Sequence, residues 1–235
     1  MVKLSPPYAQ TPRPYTTVIL AMSADGKISR DRQAARFSSA ADLDHLETQI
    51  AEVDGVLFGA NTLRAYGTCL RVRQPELLQE RSQRQQPPQP IQIVCSGSGN
   101  LDPQWPFFQQ PVPRWLITSE SGTQRWQGQA EFEQVLTLSP RSPTHWQEMA
   151  QTLRATGIKT LALLGGGTLI AAWLGAGLVD ELYLTVCPLL IGGAKAPTPV
   201  DGLGQPGPWP LTLVGVKTVG SEVFLHYRYS HGEGD

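Results

Sequence analysis

The chain reads as a mixed α/β fold, a mostly parallel sheet flanked by helices and closed by a C-terminal antiparallel hairpin. Three observations predict it. Short apolar runs rich in β-branched residues, at 15–22, 56–58, 91–95 and 160–164, have the length of buried strands. Stretches with helical spacing separate several of them, the alternation expected when helices cross over a parallel sheet. Near the end, residues 211–217 and 223–229 alternate apolar and polar around Gly220-Ser221, which is the pattern of a hairpin.

The 235 residues suit a single domain over 15–230, preceded by an extended arm over 1–14 and followed by a frayed tail over 231–235. A domain of this size buries about 70% of its unfolded surface, enough for a sizeable core. The net charge of −1 gives no electrostatic footprint for nucleic acid or an anionic membrane. No apolar run approaches the roughly 18 residues of a membrane span. Cys69, Cys95 and Cys187 are odd in number, widely spaced and without a C-x-x-C pair, so a reducing cytoplasm is the expected compartment. A small-molecule ligand is the expected partner.

Taken in order, the first strand at 15–22 ends in Ser23-Ala24-Asp25-Gly26-Lys27-Ile28, a turn with two opposite charges at a strand end. Open α/β sheets place ligand-contacting groups there, although an Asp-Gly turn with a solvated lysine has the same spelling. Ser39-Ala40-Ala41-Asp42 has the form of a capping box, and Leu43, Leu46, Ile50 and Val53 follow at helical spacing. His45-Leu46-Glu47 matches half of a zinc-deaminase signature, but no P-C-x-x-C completes it, so no metal is expected and His45 is read on a solvated face. Asp54-Gly55 turns into a second strand at 56–58, and Gly59-Ala60-Asn61-Thr62 opens another helix.

From Tyr66 to Pro90 the pattern dissolves among glutamines and prolines, which predicts a long loop. Its first arginines, Arg71 and Arg73, are placed to clamp a phosphate, while Arg81 and Arg84 are read as solvated. The third strand, 91–95, closes in Ser96-Gly97-Ser98-Gly99. Strands at 115–118 and 135–138 follow with poor helical signal between them, and a helix opening at Pro143-Thr144-His145-Trp146 is closed by Gly157. Residues 160–164, Gly165-Gly166-Gly167-Thr168 and 169–174 then spell strand, glycine turn and helix start. Glycines let backbone N–H groups crowd an anion at a helix N-terminus; a tight packed turn is the alternative. Neither the G-x-G-x-x-G nor the G-K-[ST] nucleotide pattern is met. Residues 181–187 alternate and run into Pro188, predicting an edge or partner-facing strand, and 192–210 form a Gly/Pro-rich loop.

Residues 22–28, 53–62, 91–96, 165–169, 177–182 and 188–193, in this order, resemble the reductase domain of riboflavin biosynthesis, a family with a dihydrofolate-reductase-like fold. The resemblance spans about Tyr15 to Tyr229. It implies NADPH as hydride donor, a phosphorylated ribosylamino-pyrimidine as substrate, namely 5-amino-6-(5-phosphoribosylamino)uracil reduced to its ribityl form, and a homodimer. By position it implies a cofactor site of Ala21, Phe37, Thr62, Ser96, Gly165, Gly166, Gly167, Thr168 and Leu169. It puts Asp25 and Lys27 beside the reacting groups as catalytic residues, and Leu70, Arg73 and Leu164 at the substrate. Two positions depart from the family pattern. Leu164 stands where an acid usually precedes the glycine turn, and Tyr66-Gly67-Thr68 stands for an acidic pair and proline. A same-fold NADPH reductase of dihydrofolate or a pterin, and a non-catalytic NADP-binding module, are the competing expectations.

Overall fold

The computed structural model describes residues 11–30, 34, 37, 39–139, 144–202 and 207–229. Most of the expected arm, and the expected tail, lie outside the described residues. The strands are β1 (Tyr15–Ser23), β2 (Gly55–Gly59), β3 (Ile91–Ser96), β4 (Arg114–Thr118), β5 (Gln134–Thr137), β6 (Thr160–Leu163), β7 (Glu181–Cys187), β8 (Leu211–Val219) and β9 (Glu222–Tyr229). Helices α1 (Ala40–Ala51), α2 (Ala60–Tyr66), α3 (Pro75–Gln83), α4 (Glu120–Trp126), α5 (His145–Ala155) and α6 (Gly167–Gly175) connect them.

Among the described residues the strands form one sheet in the order β5-β4-β3-β2-β6-β1-β7-β9-β8. Every pairing from β5 to β7 is parallel, and β7, β9 and β8 pair antiparallel. The expected mixed sheet with a closing hairpin is therefore the fold. Period-two alternation sorts the strand residues onto two faces. Ile19, Val56, Phe58, Val94 and Leu116 pack with Ile50 of α1, Leu63 of α2, Leu77 of α3 and Trp126 of α4. Val18, Leu57, Ile93 and Ile117 pack with Met149 and Leu153 of α5 and Ile170 and Trp173 of α6.

Three readings of the sequence change. The expected loop at 66–90 contains α3, opened by Pro75 at its first turn, where a proline loses no hydrogen bond. Its Arg81 is fully buried rather than solvated, donating to the carbonyls of Ala51, Val53 and Pro87. A polar sequence hid this helix because one arginine does the work of a core residue, tying the end of α1 to α3. Helix α4 occupies the stretch of weak signal after β4, and its N-cap Ser119 accepts from the Gly122 amide at 3.3 Å. Finally, β7 is no edge strand. It pairs with β1 on one side and β9 on the other, so its alternation reports a half-open face, not a missing neighbour.

Candidate active site

The sheet divides between β6 and β1. From β1 the chain crosses through α1 on one face to reach β2; from β6 it crosses through α6 on the other face to reach β7. The loops leaving neighbouring carboxyl ends therefore part, and a crevice opens where ligands bind in open α/β sheets. A cleft of about 570 Å³ occupies this place.

Its floor carries the glycine turn. The Leu164 amide donates to the Leu57 carbonyl at 2.9 Å, and the Gly59 amide to the Gly165 carbonyl at 2.9 Å, fastening the turn to β2. Gly165 has φ of +104°, a conformation side chains rarely adopt. A Cβ on Gly167 would lie 2.3 Å from the Thr198 carbonyl oxygen, so the chain at 197–201 lies against the turn only because glycine is there. Gly166 is the N-cap of α6, in extended backbone, and the amides of Gly167 and Thr168, the first two residues of this nine-residue helix, have no carbonyl a turn earlier in the helix to receive them. Together with the helix dipole they offer donors to an anion.

Ala21, Phe37, Thr62, Gly165, Gly166, Gly167 and Thr168 line this cleft, as do Leu70, Arg73 and Leu164. The structure thus gathers ten of the residues singled out in the sequence around one cavity. It leaves four off the lining. Leu169 turns into the core against α6's own face of the sheet, and its amide is satisfied by the Gly166 carbonyl. Ser96 is buried at the end of β3. Asp25 is engaged off the lining: it accepts from the Ser23 hydroxyl at 2.5 Å and from the amides of Ile191 and Gly192 at 3.0 and 2.6 Å. These bonds, the Ser23 hydroxyl foremost, lower its pKa to about 2. A carboxylate so held is ionised at neutral pH and has no proton to give. Lys27 reaches the Ala196 carbonyl at 3.4 Å, at the edge of the segment that brings Pro197 and Asp201 to the cleft.

Sequence reasoning missed Ser29, Asp42, Gln92, Pro197 and Asp201 as lining residues. Asp42 was visible only as a cap, and Gln92 is a polar residue in a buried strand, the one local signal that could have marked it. His45 is half-buried rather than solvated, with its ring edge-on to Tyr183 and Phe224 and its pKa lowered by burial. Burial pushes the thiols of Cys69, Cys95 and Cys187 up to about 12, which makes none of them a nucleophile at neutral pH.

Residues 14–225 match the family described as the RibD C-terminal domain. The chain belongs to this family. It is 27% identical over 191 residues to the 2,5-diamino-6-ribosylamino-4(3H)-pyrimidinone 5′-phosphate reductase of Archaeoglobus fulgidus, covering 81% of this chain and 87% of that protein. The protein of the same name from Methanothermobacter thermautotrophicus is 27% identical over 192 residues, with 82% and 86% covered. Riboflavin biosynthesis protein RibD of Escherichia coli is 27% identical over 223 residues, and there the alignment covers 91% of this chain but 59% of the longer relative. Among solved structures, a pyrimidine reductase-like protein from Corynebacterium diphtheriae superposes with a TM-score of 0.79 at 21% identity, covering 93% of both chains. Acinetobacter baumannii RibD gives 0.77 at 20% identity, covering 94% of this chain and 59% of that one. As a RibD C-terminal domain, the chain presents its glycine turn and apolar wall to one shared cleft, with Leu164 as an apolar member of that wall.

Proposed function

We propose that this chain is an NADPH-dependent reductase that converts a ribosylamino-pyrimidine 5′-phosphate to its ribityl form in riboflavin biosynthesis. The observation that carries the reading is the glycine turn at the N-terminus of α6, facing into a cleft whose remaining wall is largely apolar. The residues fit a dinucleotide: Gly165 and Gly166 leave the approach open, with only Thr62 Oγ1 near an added Cβ, at 4.0 and 3.9 Å. The nicotinamide, when bound, supplies the hydride.

The protein's own contribution is orientation and exclusion of water. Gly165 to Thr168 and Thr62 hold phosphate and ribose oxygens, and Ala21 and Phe37 flank the ring. Leu70 and Leu164 keep the reacting face dry, and the exposed Arg73 guanidinium takes the substrate phosphate as a charge-assisted bond. Ser96, buried at the end of β3, and Leu169, packed in the core, support the site without lining it. Asp25 acts as an ionised clamp on 191–192 and not as the proton donor, so that proton comes from bound water or another group in the cleft. We further propose a cytoplasmic homodimer, on the three free thiols and on the half-open sheet face of β7, β9 and β8.

The test is NADPH absorbance with purified protein against a ribosylamino-pyrimidine 5′-phosphate and, in parallel, dihydrofolate. Oxidation with the pyrimidine is expected. Turnover of dihydrofolate alone would establish the second reading, which Leu164 favours because an apolar group there leaves a pyrimidine edge unpaired. NADPH binding with no turnover of either would make the chain a binding module.

A further inference from the structure

The cleft holds a carboxylate that the fold has left without a task. Asp42 is the third residue of α1, 5% exposed, and lines the cavity. An acid at this helix position ordinarily reaches back to the amide of the capping residue. Here Glu222, from the start of β9, takes that bond: it accepts from the Ser39 amide at 3.3 Å and from the Ser39 hydroxyl. Ser39 Oγ in turn caps the Asp42 amide at 3.1 Å. Helix α1 is thus capped from across the fold, and no described residue donates a hydrogen bond to the Asp42 carboxylate.

With no protein donor, the Asp42 carboxylate keeps its hydrogen-bonding capacity for whatever occupies the cleft. Two residues lining the same cleft carry a buried polar atom without a partner, Gln92 at Oε1 and Ser29 at Oγ; Gln92 is 0% and Ser29 8% exposed. Asp42 and Gln92 Oε1 are both acceptors, so each calls for a donor on whatever fills the cleft. A carboxylate disfavours phosphate, which suits the donors of the glycine turn instead.

We propose that Asp42 determines substrate specificity by binding a donor–donor ring edge, the exocyclic amine and adjacent ring N–H of a 2-amino-4-oxopyrimidine. Two neighbouring N–H groups match two carboxylate oxygens, as a guanidinium does. A 2-oxo ring, the uracil form, turns an acceptor toward the carboxylate at the same place and leaves one oxygen unpaired against it. The identity of the substrate in this inference rests on the reductase reading above; the role of Asp42 in binding does not.

The experiment is calorimetric binding, without NADPH, of 2,5-diamino-6-ribosylamino-4(3H)-pyrimidinone 5′-phosphate and of its 2-oxo counterpart, to the wild-type chain and to Asp42→Asn. Wild type is expected to bind the 2-amino compound roughly ten- to hundredfold more tightly, as for hydrogen bonds to a charged group. Asp42→Asn is expected to bring the ratio close to one while an NADPH titration stays unchanged, which also reports that the variant is folded. A wild-type ratio at or below one overturns the proposal whatever the variant does, as does a ratio that Asp42→Asn leaves in place. A retained, Asp42-dependent ratio in a protein that turns over neither compound would overturn the reductase reading alone. Turnover with an unmoved ratio would overturn only the role of Asp42.

Discussion

Asp25 shows what a residue's place in the sequence conveys and what it withholds. Its position at the end of β1 was legible, since Ser23-Ala24-Asp25-Gly26 spells a strand end and turn. Its partners were not, because the Ile191 and Gly192 amides lie in a loop 166 and 167 residues further on. The three donors favour the ionised form, and they bring the pKa to about 2. A lowered carboxylate pKa contributes stability that is complete above the unfolded value near 4 and is lost as the pH falls toward about 2. Asp25→Asn, which keeps the shape and removes the charge, is expected to lower the urea midpoint at pH 7. The difference from wild type should narrow as the pH is taken from 4 to 2. Urea melts across that range decide it; a gap that stays constant with pH would show that the carboxylate charge holds nothing at 191–192.

At the scale of elements, the strands on the parallel side of the sheet were legible because burial on both faces makes them continuous apolar runs. Helix α3 was not, since its anchor is Arg81 and a buried arginine is spelled like a surface one. The late strands were half legible. Leu182, Leu184 and Val186 of β7 alternate with residues of the other face, and they stand opposite Tyr227, Leu225 and Val223 of β9. In β8, Leu211 and Leu213 face Tyr229 and Tyr227; an irregularity between Leu213 and Gly215 then brings Val216 opposite Leu225. Residues directly opposite share a face, so the bulge returns Val216 to the side of Leu211 and Leu213. These three are 43%, 52% and 56% exposed, an apolar row continuous with the half-buried face of β7 and β9. A face of this kind marks an interaction surface. Sedimentation at micromolar concentration is expected to give a dimer for wild type and a monomer for Val216→Lys, with thermal stability of the monomer retained because Val216 contributes little to the core. A monomeric wild type, or a dimer that tolerates the lysine, would remove this face from the assembly.

For the whole molecule, function depends on a division no single stretch contains. The glycine turn announced itself, but its cleft exists because α1 and α6 leave neighbouring strands on opposite faces, and because 197–201 lies against Gly167. Gly166 allows that assembly to be tested without disturbing it. Its φ of −76° is open to any residue, and an added Cβ meets only Thr62 Oγ1, at 3.9 Å, so Gly166→Ala leaves the fold in place. The added methyl enters the lining where the phosphate would lie. A ligand at a hundred times its dissociation constant stabilises the native state that binds it by about 2.7 kcal/mol, the effect expected of NADPH here. For a domain of this size that corresponds to a rise in Tm of roughly 5–10 °C. Wild type is expected to show this rise, and Gly166→Ala to show a smaller one from a similar starting Tm. If the rise were the same in both, the cofactor would bind away from the turn; if wild type showed none, the turn would be a packed corner of the sheet and not an anion cradle.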